Sequence, residues 1–99
     1  MLEICFRQKA NDDLNNIWNY TYENWSEIQA DNYYSTIKFA CLKIAKNPKL
    51  GKSYREIREN LLGLKSGNHI IFYCWISENK IEVIRILHER MDLKNRLTE

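Results

Sequence analysis

The segment from His69 to His88 constrains the fold of this chain most, because it contains two consecutive stretches with the composition of β-strands. The first, His69–Ile76, is almost wholly apolar or aromatic, and the second, Ile81–His88, is rich in β-branched residues. The tetrapeptide SENK between them has the composition of a turn. The sequence therefore predicts a β-hairpin in which Ile76 lies opposite Ile81 and the two histidines lie opposite each other.

This register sorts the hairpin side chains into two faces, because side chains alternate along a strand. One face carries an aliphatic row, Ile70, Phe72, Cys74 and Ile76, with Leu87, Arg85, Val83 and Ile81 opposite. The other face carries a more aromatic row, His69, Ile71, Tyr73 and Trp75, with His88, Ile86, Ile84 and Glu82 opposite. We expect the aliphatic row to pack against helices and the aromatic row to face outward as a docking surface.

Two helices are predicted before the hairpin. Apolar residues recur at helical spacing from about Lys9 to Asn24 and again from Glu27 to about Lys46. Ser26 is a good N-cap for the second helix, with Gln29 completing a capping box. Asn47-Pro48 ends that helix, since the residue before proline avoids the helical region.

Shorter elements surround these. We predict strands at Leu2–Phe6 and Leu61–Lys65, with a further short strand at Tyr54–Ile57 and either a helix or a tail at Met91–Leu97. The predicted fold is α+β, a single domain over residues 1–99 with the order β-αα-βββ. An antiparallel sheet carries an α-helical hairpin on one face.

Composition excludes several classes of function. The net charge is +2, from 15 basic and 13 acidic residues, so strong independent nucleic-acid binding is not expected. No apolar run approaches the roughly 20 residues of a membrane span, and no signal peptide follows Met1. Cys5, Cys41 and Cys74 lack metal-binding spacing and are interpreted as free thiols, which favours a cytoplasmic location.

Catalytic, cofactor and metal motifs are absent from the sequence, so none of these three kinds of site is predicted. His69 and His88 could act together as acid and base or as two metal ligands, but two ligands alone do not make a metal site. A hydrogen-bonded pair at a sheet edge is the simpler interpretation. Arg85 interrupts an apolar row, so we expect it to pair with an acidic residue on a helix or to lie near the sheet rim.

Five blocks of residues in a fixed order resemble the ParE branch of the RelE/ParE superfamily, the toxins of bacterial type II toxin–antitoxin (plasmid stabilisation) modules. The blocks are Ala10-x-x-Asp13-Leu14-x-x-Ile17-Trp18-x-Tyr20, Trp25 with Gln29-Ala30-x-x-Tyr33, Asn47-Pro48-x-x-Gly51, His69-Ile70-Ile71-Phe72-Tyr73, and Arg85-Ile86-Leu87-His88-x-Arg90-Met91-Asp92. The resemblance implies the same β-αα-βββ fold. It also implies a ParD-like antitoxin whose disordered C-terminal segment folds as it wraps the toxin. Cys74 departs from the family, which often has arginine there.

The resemblance implies one of two activities. ParE-like relatives poison DNA gyrase by binding it, whereas RelE-like relatives are ribosome-dependent mRNA endonucleases that use a Lys/Arg cluster on the sheet and a tyrosine near the C-terminus. Residues 60–64 carry no basic side chain and residues 93–99 no tyrosine, which favours gyrase poisoning. The predicted target-binding residues are Arg85, His88, Arg90, Met91 and Asp92. The predicted antitoxin-binding residues are Trp18, Tyr22, Tyr34, His69, Ile71, Tyr73 and Trp75.

Overall fold

A computed structural model describes residues 2–98 of the chain. Its strands are β1 (Glu3–Phe6), β2 (Lys52–Ser53), β3 (Leu62–Ser66), β4 (His69–Ser77) and β5 (Lys80–His88). Its helices are α1 (Gln8–Asn24), α2 (Glu27–Lys46) and α3 (Leu93–Leu97), with a single 3-10 turn at Pro48–Leu50. The predicted α+β class and helical hairpin are confirmed. Among residues 2–98, no helix has the length and apolar character that crossing a membrane requires.

The helical hairpin forms as its sequence predicts. Ser26 Oγ accepts a hydrogen bond from the Gln29 N–H at 3.1 Å, so the predicted N-cap of α2 is confirmed. The additional short strand lies at Lys52–Ser53 rather than at Tyr54–Ile57. Residues 54–61 instead form a reverse turn, because Tyr54 O accepts hydrogen bonds from the N–H groups of Ile57 and Arg58.

The sheet has the strand order β1-β5-β4-β3-β2. Four neighbouring strands pair antiparallel, but β1 pairs parallel to β5, so the sheet is mixed rather than wholly antiparallel as predicted. The sequence prediction missed this because β1 and β5 lie at opposite ends of the chain. No short turn fixes the direction in which two such strands pair.

The hairpin register agrees with the prediction at one end and departs from it at the other. His69 pairs with His88, and Phe72 pairs with Arg85, as predicted. The register then shifts by one residue, since Tyr73 pairs with Val83 and leaves Ile84 as an extra residue on β5. Such a β-bulge changes which side chains of β5 share a face.

The prediction of which hairpin face meets the helices is wrong. Ile71 and Tyr73 are fully buried in the layer between the sheet and the helical hairpin. Their neighbours in that layer include Leu14 of α1 and Ile37 and Ile44 of α2. The Tyr73 hydroxyl tolerates this burial because it donates to Pro48 O at 2.6 Å and accepts from the Gly51 N–H at 2.9 Å.

The opposite face of the sheet, predicted to pack against the helical hairpin, is covered by other segments. Ile70, Phe72, Ile84 and Leu87 pack there with Leu61 and Leu97, and Tyr54, Ile57 and Leu93 border this second cluster. The 54–61 turn and α3 therefore supply the second layer. Within residues 2–98, the aromatic row therefore leaves open no extended apolar sheet face of the kind expected from the sequence.

Candidate functional site

Two histidines form the first cross-strand pair of the central hairpin. His69 begins β4 and His88 ends β5, and their rings stand edge to face with centroids 5.2 Å apart. The predicted opposition of the two residues is confirmed. This histidine pair lies at the edge of the sheet beside residues of α1 and α2, and it lines both of two grooves that meet there.

Tyr33 of α2 fixes one member of the pair. Its hydroxyl oxygen lies 2.6 Å from His69 Nδ1 and accepts a hydrogen bond from the Asn68 N–H at 3.1 Å. Gly67 permits this approach, because its φ is +60° and a Cβ there would lie 2.7 Å from the Tyr33 ring. Burial, and secondarily the charge of His88, lowers the pKa of His69 to about 4. His69 is therefore neutral near pH 7.

The second member of the pair is tied to the end of the hairpin. His88 Nδ1 accepts a hydrogen bond from the Arg90 N–H at 3.1 Å. In the neutral ring the proton then resides on Nε2, which makes that atom a donor. An Nε2 that carries the proton is not a metal ligand, and within residues 2–98 no three His, Cys, Asp or Glu side chains converge on a possible metal position.

The aromatic groove is the first of the two depressions that the histidine pair borders. Its walls come from the end of α1 and the first half of α2, and it is lined by Tyr20, Thr21, Trp25, Gln29, Asn32, Tyr33, Thr36, Asn68, His69 and His88. Trp25 and Tyr20 are 70% and 65% exposed. Exposed aromatic rings beside amide side chains are typical of a surface that binds protein.

The arginine groove is the second depression, on the other side of the histidine pair. Its charged lining consists of three arginines, Arg85, Arg90 and Arg96, and one aspartate, Asp13. The other residues that line only this groove are Asn16, Ile17, Ile86, Leu87 and Met91. Tyr20, Thr21, His69 and His88 line both grooves. The two grooves are therefore continuous across the histidine pair.

A nearly buried ion pair builds one wall of the arginine groove. Asp13 of α1 accepts hydrogen bonds from Arg85 Nε at 2.9 Å and from Arg85 Nη2 at 3.0 Å. The side chains are only 12% and 14% exposed. The predicted pairing of Arg85 with a helical acid is confirmed. Arg85 Nη1 also donates to Arg96 O at 3.2 Å, so the same guanidinium holds α3 near α1.

Four of the five predicted target-binding residues lie together. Arg85, His88, Arg90 and Met91 all line the arginine groove. Asp92 is instead the N-cap of α3, where Oδ1 accepts from the Asn95 N–H at 3.3 Å and Oδ2 from Asn95 Nδ2 at 2.6 Å. Asp92 therefore has a structural role, and the target-binding role of the group stays a prediction.

The predicted antitoxin-binding residues do not share one surface. Trp18 stacks on Tyr22 and donates its indole N–H to Asp31 at 2.9 Å. Trp18 and Tyr20 are two helix positions apart, so their side chains leave α1 about 200° apart around the helix axis. Trp18 therefore lies outside the two grooves that Tyr20 lines. Tyr34 packs against the core layer rather than in a groove.

The remaining members of that set lie at three depths. His69 lines both grooves, whereas Ile71 and Tyr73 are completely buried, so the expectation that these two contact an antitoxin is wrong for this conformation. Trp75 is 43% exposed and lies beside Arg55 and Asn60, away from the histidine pair.

Sequence reasoning missed the contributions of Tyr20, Trp25 and Arg96 to the two grooves. A signal for the first two was present, since the helical hairpin has more aromatic residues than its buried stripe requires. Arg96 carried no such signal, because its position depends on how α3 folds back toward Arg85.

Two solved structures from toxin–antitoxin systems have the same fold as this chain. The chain matches the structure titled chromosomal ParDE TA system from P. aeruginosa with a TM-score of 0.77 and 14% identity, over 89% of this chain and 96% of that one. It matches the toxin-antitoxin complex RelBE2 from Mycobacterium tuberculosis with a TM-score of 0.61 and 18% identity, over 89% and 98%. These likenesses show that the chain shares the fold of the two structures.

Sequence comparison then identifies the family. The family model for the ParE toxin of type II toxin–antitoxin system, parDE, matches residues 4–93. Toxin ParE1 of Mycobacterium tuberculosis is 38% identical over 84 residues, which is 85% of this chain and 86% of that protein. The chain belongs to the ParE toxin family.

Proposed function

We propose that this ParE-type toxin acts by binding DNA gyrase and trapping its cleaved DNA complex. The observation that carries the proposal is the convergence of Arg85, His88, Arg90 and Met91 on one groove. The Asp13–Arg85 ion pair fixes one wall of this groove to α1. A surface held in this way is preorganised for binding a partner.

The chemistry of the groove also favours binding over catalysis. The Arg85 guanidinium donates to Asp13 through Nε and Nη2 and to Arg96 O through Nη1, so its charge is paired and three of its five N–H donors are used within the protein. His69 is hydrogen-bonded to Tyr33 at 2.6 Å. We therefore propose that the chain is not an enzyme and that its toxicity needs no reaction of its own.

We further propose that a ParD-like antitoxin neutralises the toxin in the cytoplasm, where gyrase acts. Membership of a family defined by parDE systems supports this partner. The exposed rings of Tyr20 and Trp25 in the aromatic groove support a protein contact beside the histidine pair.

A second candidate is ribosome-dependent cleavage of mRNA. The observation that favours it is the histidine pair, because two imidazoles beside arginines could exchange protons with a ribose hydroxyl and hold a phosphate. Neutral His69 would be the base in such a reaction.

One experiment separates the two activities. Purified toxin is added to gyrase with supercoiled plasmid and, in parallel, to a translating extract with labelled mRNA. Linearised plasmid with intact message supports gyrase poisoning, whereas codon-phased message cleavage with unaffected supercoiling rejects it. Met91→Glu in the groove should abolish the gyrase effect, and Arg55→Glu outside it is the control.

A further inference from the structure

Four lysines follow one another at intervals of three residues where α2 ends and the chain returns to the sheet. Lys43 and Lys46 lie in the last turn of α2, Lys49 lies in the 3-10 turn and Lys52 begins β2. All four residues are exposed. An interval of three keeps neighbouring side chains on one side of a helix or of a 3-10 turn. We call this surface the lysine ridge.

No ion pair within residues 2–98 neutralises the lysine ridge. Residues 32–55 contain six basic side chains and no acidic one. The negative end of the α2 dipole accounts for at most Lys43 and Lys46, because Lys49 and Lys52 follow the helix. The ridge is therefore a local patch of positive charge in a chain whose net charge is only +2.

The lysine ridge is separate from the two grooves. None of its four lysines lines the aromatic groove or the arginine groove. β2 is the last strand in the order β1-β5-β4-β3-β2, whereas the strand that lines the arginine groove is β5. A partner in the arginine groove and a ligand on the ridge can therefore be bound at the same time.

Apolar side chains beside the lysines narrow the choice of anionic ligand. Phe39, Leu42 and Leu50 are 60%, 51% and 46% exposed. An anionic lipid surface would take up such side chains by insertion. However, Lys43 Nζ lies 5.2 Å from the centre of the Phe39 ring, so a charge covers the face of the largest of the three. A nucleic-acid strand requires no insertion, since its sugar rings offer apolar contacts between the phosphates that the lysines bind.

We propose that the lysine ridge binds the phosphate backbone of double-stranded DNA without reading its sequence. Four lysines neutralise few phosphates, so the contact is weak and salt-dependent on its own, which agrees with the small net charge. The inference rests on the proposed function in one respect, because it assigns the ridge to the DNA held by gyrase. A toxin docked through the arginine groove brings the ridge to a high effective concentration beside that DNA and thereby stabilises the trapped complex.

The probe is a fluorescein-labelled DNA duplex of arbitrary sequence, titrated with the full chain at low ionic strength and followed by fluorescence anisotropy. We expect saturable binding that weakens as the salt concentration rises. Lys46→Gln/Lys49→Gln should weaken binding at least about fivefold. It should also reduce the slope of the logarithm of the association constant against the logarithm of salt concentration by about two, since each lysine lost removes about one phosphate contact.

Lys9→Gln/Lys94→Gln is the matched control. It gives the chain the same net charge as the ridge variant, and both lysines are exposed on other helices, α1 and α3. The control should bind the duplex as the wild type does. Thermal unfolding of both double variants verifies that they are folded.

Three results would overturn the proposal: no duplex binding at low salt, equal loss in the two double variants, or a salt slope that Lys46→Gln/Lys49→Gln does not change. Phosphatidylglycerol vesicles and polyglutamate are tested with the same proteins. If either binds the ridge at a lower concentration of negative charge than the duplex does, the ridge is a lipid site or an acidic-protein site and the DNA proposal is wrong.

The gyrase assay tests the proposed function separately. Linearised plasmid without duplex binding by the free toxin would reject the DNA proposal and leave gyrase as the target. Duplex binding without linearised plasmid would reject gyrase as the target and leave the ridge as a DNA-binding surface.

Discussion

Asp13 joins the two layers of the protein through Arg85. Its carboxylate accepts two hydrogen bonds from the guanidinium and a third from the Ile86 N–H at 2.9 Å. The third bond is needed because β1 stops pairing with β5 at Val83. Beyond that point no strand in the described part of the chain lies beside the outer edge of β5, and α1 supplies an acceptor in its place.

Replacing Asp13 with asparagine should destabilise the fold by about 3 kcal/mol, because it leaves the nearly buried Arg85 charge without its counter-ion. Asp12→Asn is the matched control, since Asp12 is exposed and should cost less than about 0.5 kcal/mol. Urea unfolding measures both. A loss for Asp13→Asn no greater than that of the control would contradict a stabilising role for the pair.

Tyr73→Phe should lower the free energy of unfolding by about 1–3 kcal/mol, because Pro48 O and the Gly51 N–H would both lose their buried partner. Tyr20→Phe removes a hydroxyl from a ring that is 65% exposed and should have little effect. Denaturant titration of the two variants makes the comparison. Equal stability would mean that water replaces the lost hydroxyl.

Stability should fall as the pH falls from about 6.5 toward 4. Burial holds the pKa of His69 at about 4, below its usual value of 6.5, so over this range the unfolded chain takes up a proton that the folded chain does not. The stabilisation of the folded state that comes from neutral His69 is therefore complete above pH 6.5 and is lost as the pH falls toward 4. The loss is about 1–2 kcal/mol after allowance for solvent screening. Thermal denaturation of wild type and His69→Gln over this range should show a steeper loss in the wild type; parallel curves would exclude His69 as the cause.

For antitoxin binding, Trp25→Ala should raise the free energy of association by about 2 kcal/mol, because an exposed ring in a groove is a candidate hot spot. Calorimetry with the purified antitoxin measures the change. Trp75→Glu tests the far end of β4, which the sequence also assigned to the antitoxin. If Trp75→Glu alone weakens binding, the aromatic groove is not the docking surface.

Local signals in the sequence predicted most of the elements. The Ser26 cap, the break at Pro48 and the two strands of the hairpin all depend on neighbouring residues, and all were confirmed. The pairing of Arg85 with a helical acid followed from the cost of burying a charge. That Asp13 is the partner could not be predicted, since it depends on where α1 crosses β5.

Alternation of side chains alone could not predict which face of the hairpin packs against the helices. Tyr73 was expected outside because it belongs to the more aromatic row, but its buried hydroxyl finds partners in the distant Pro48–Gly51 segment. The opposite face of the sheet is covered by the 54–61 turn and α3. The apolar residues of these two segments are too few and too scattered for the sequence to predict a second layer. The grooves depend on the same tertiary contacts.

The extra residue Ile84 has a consequence for comparing relatives. On one side of it Ile81 and Val83 point toward the helices, and on the other side Ile86 does, so inward positions change from odd to even numbers within one strand. Loss of Ile84 would remove the bulge and restore simple alternation, so that Ile81, Val83 and Ile86 would all still face the helices. A one-residue gap at Ile84 in an aligned sequence therefore signals loss of the bulge, with the inner and outer side chains of β5 unchanged.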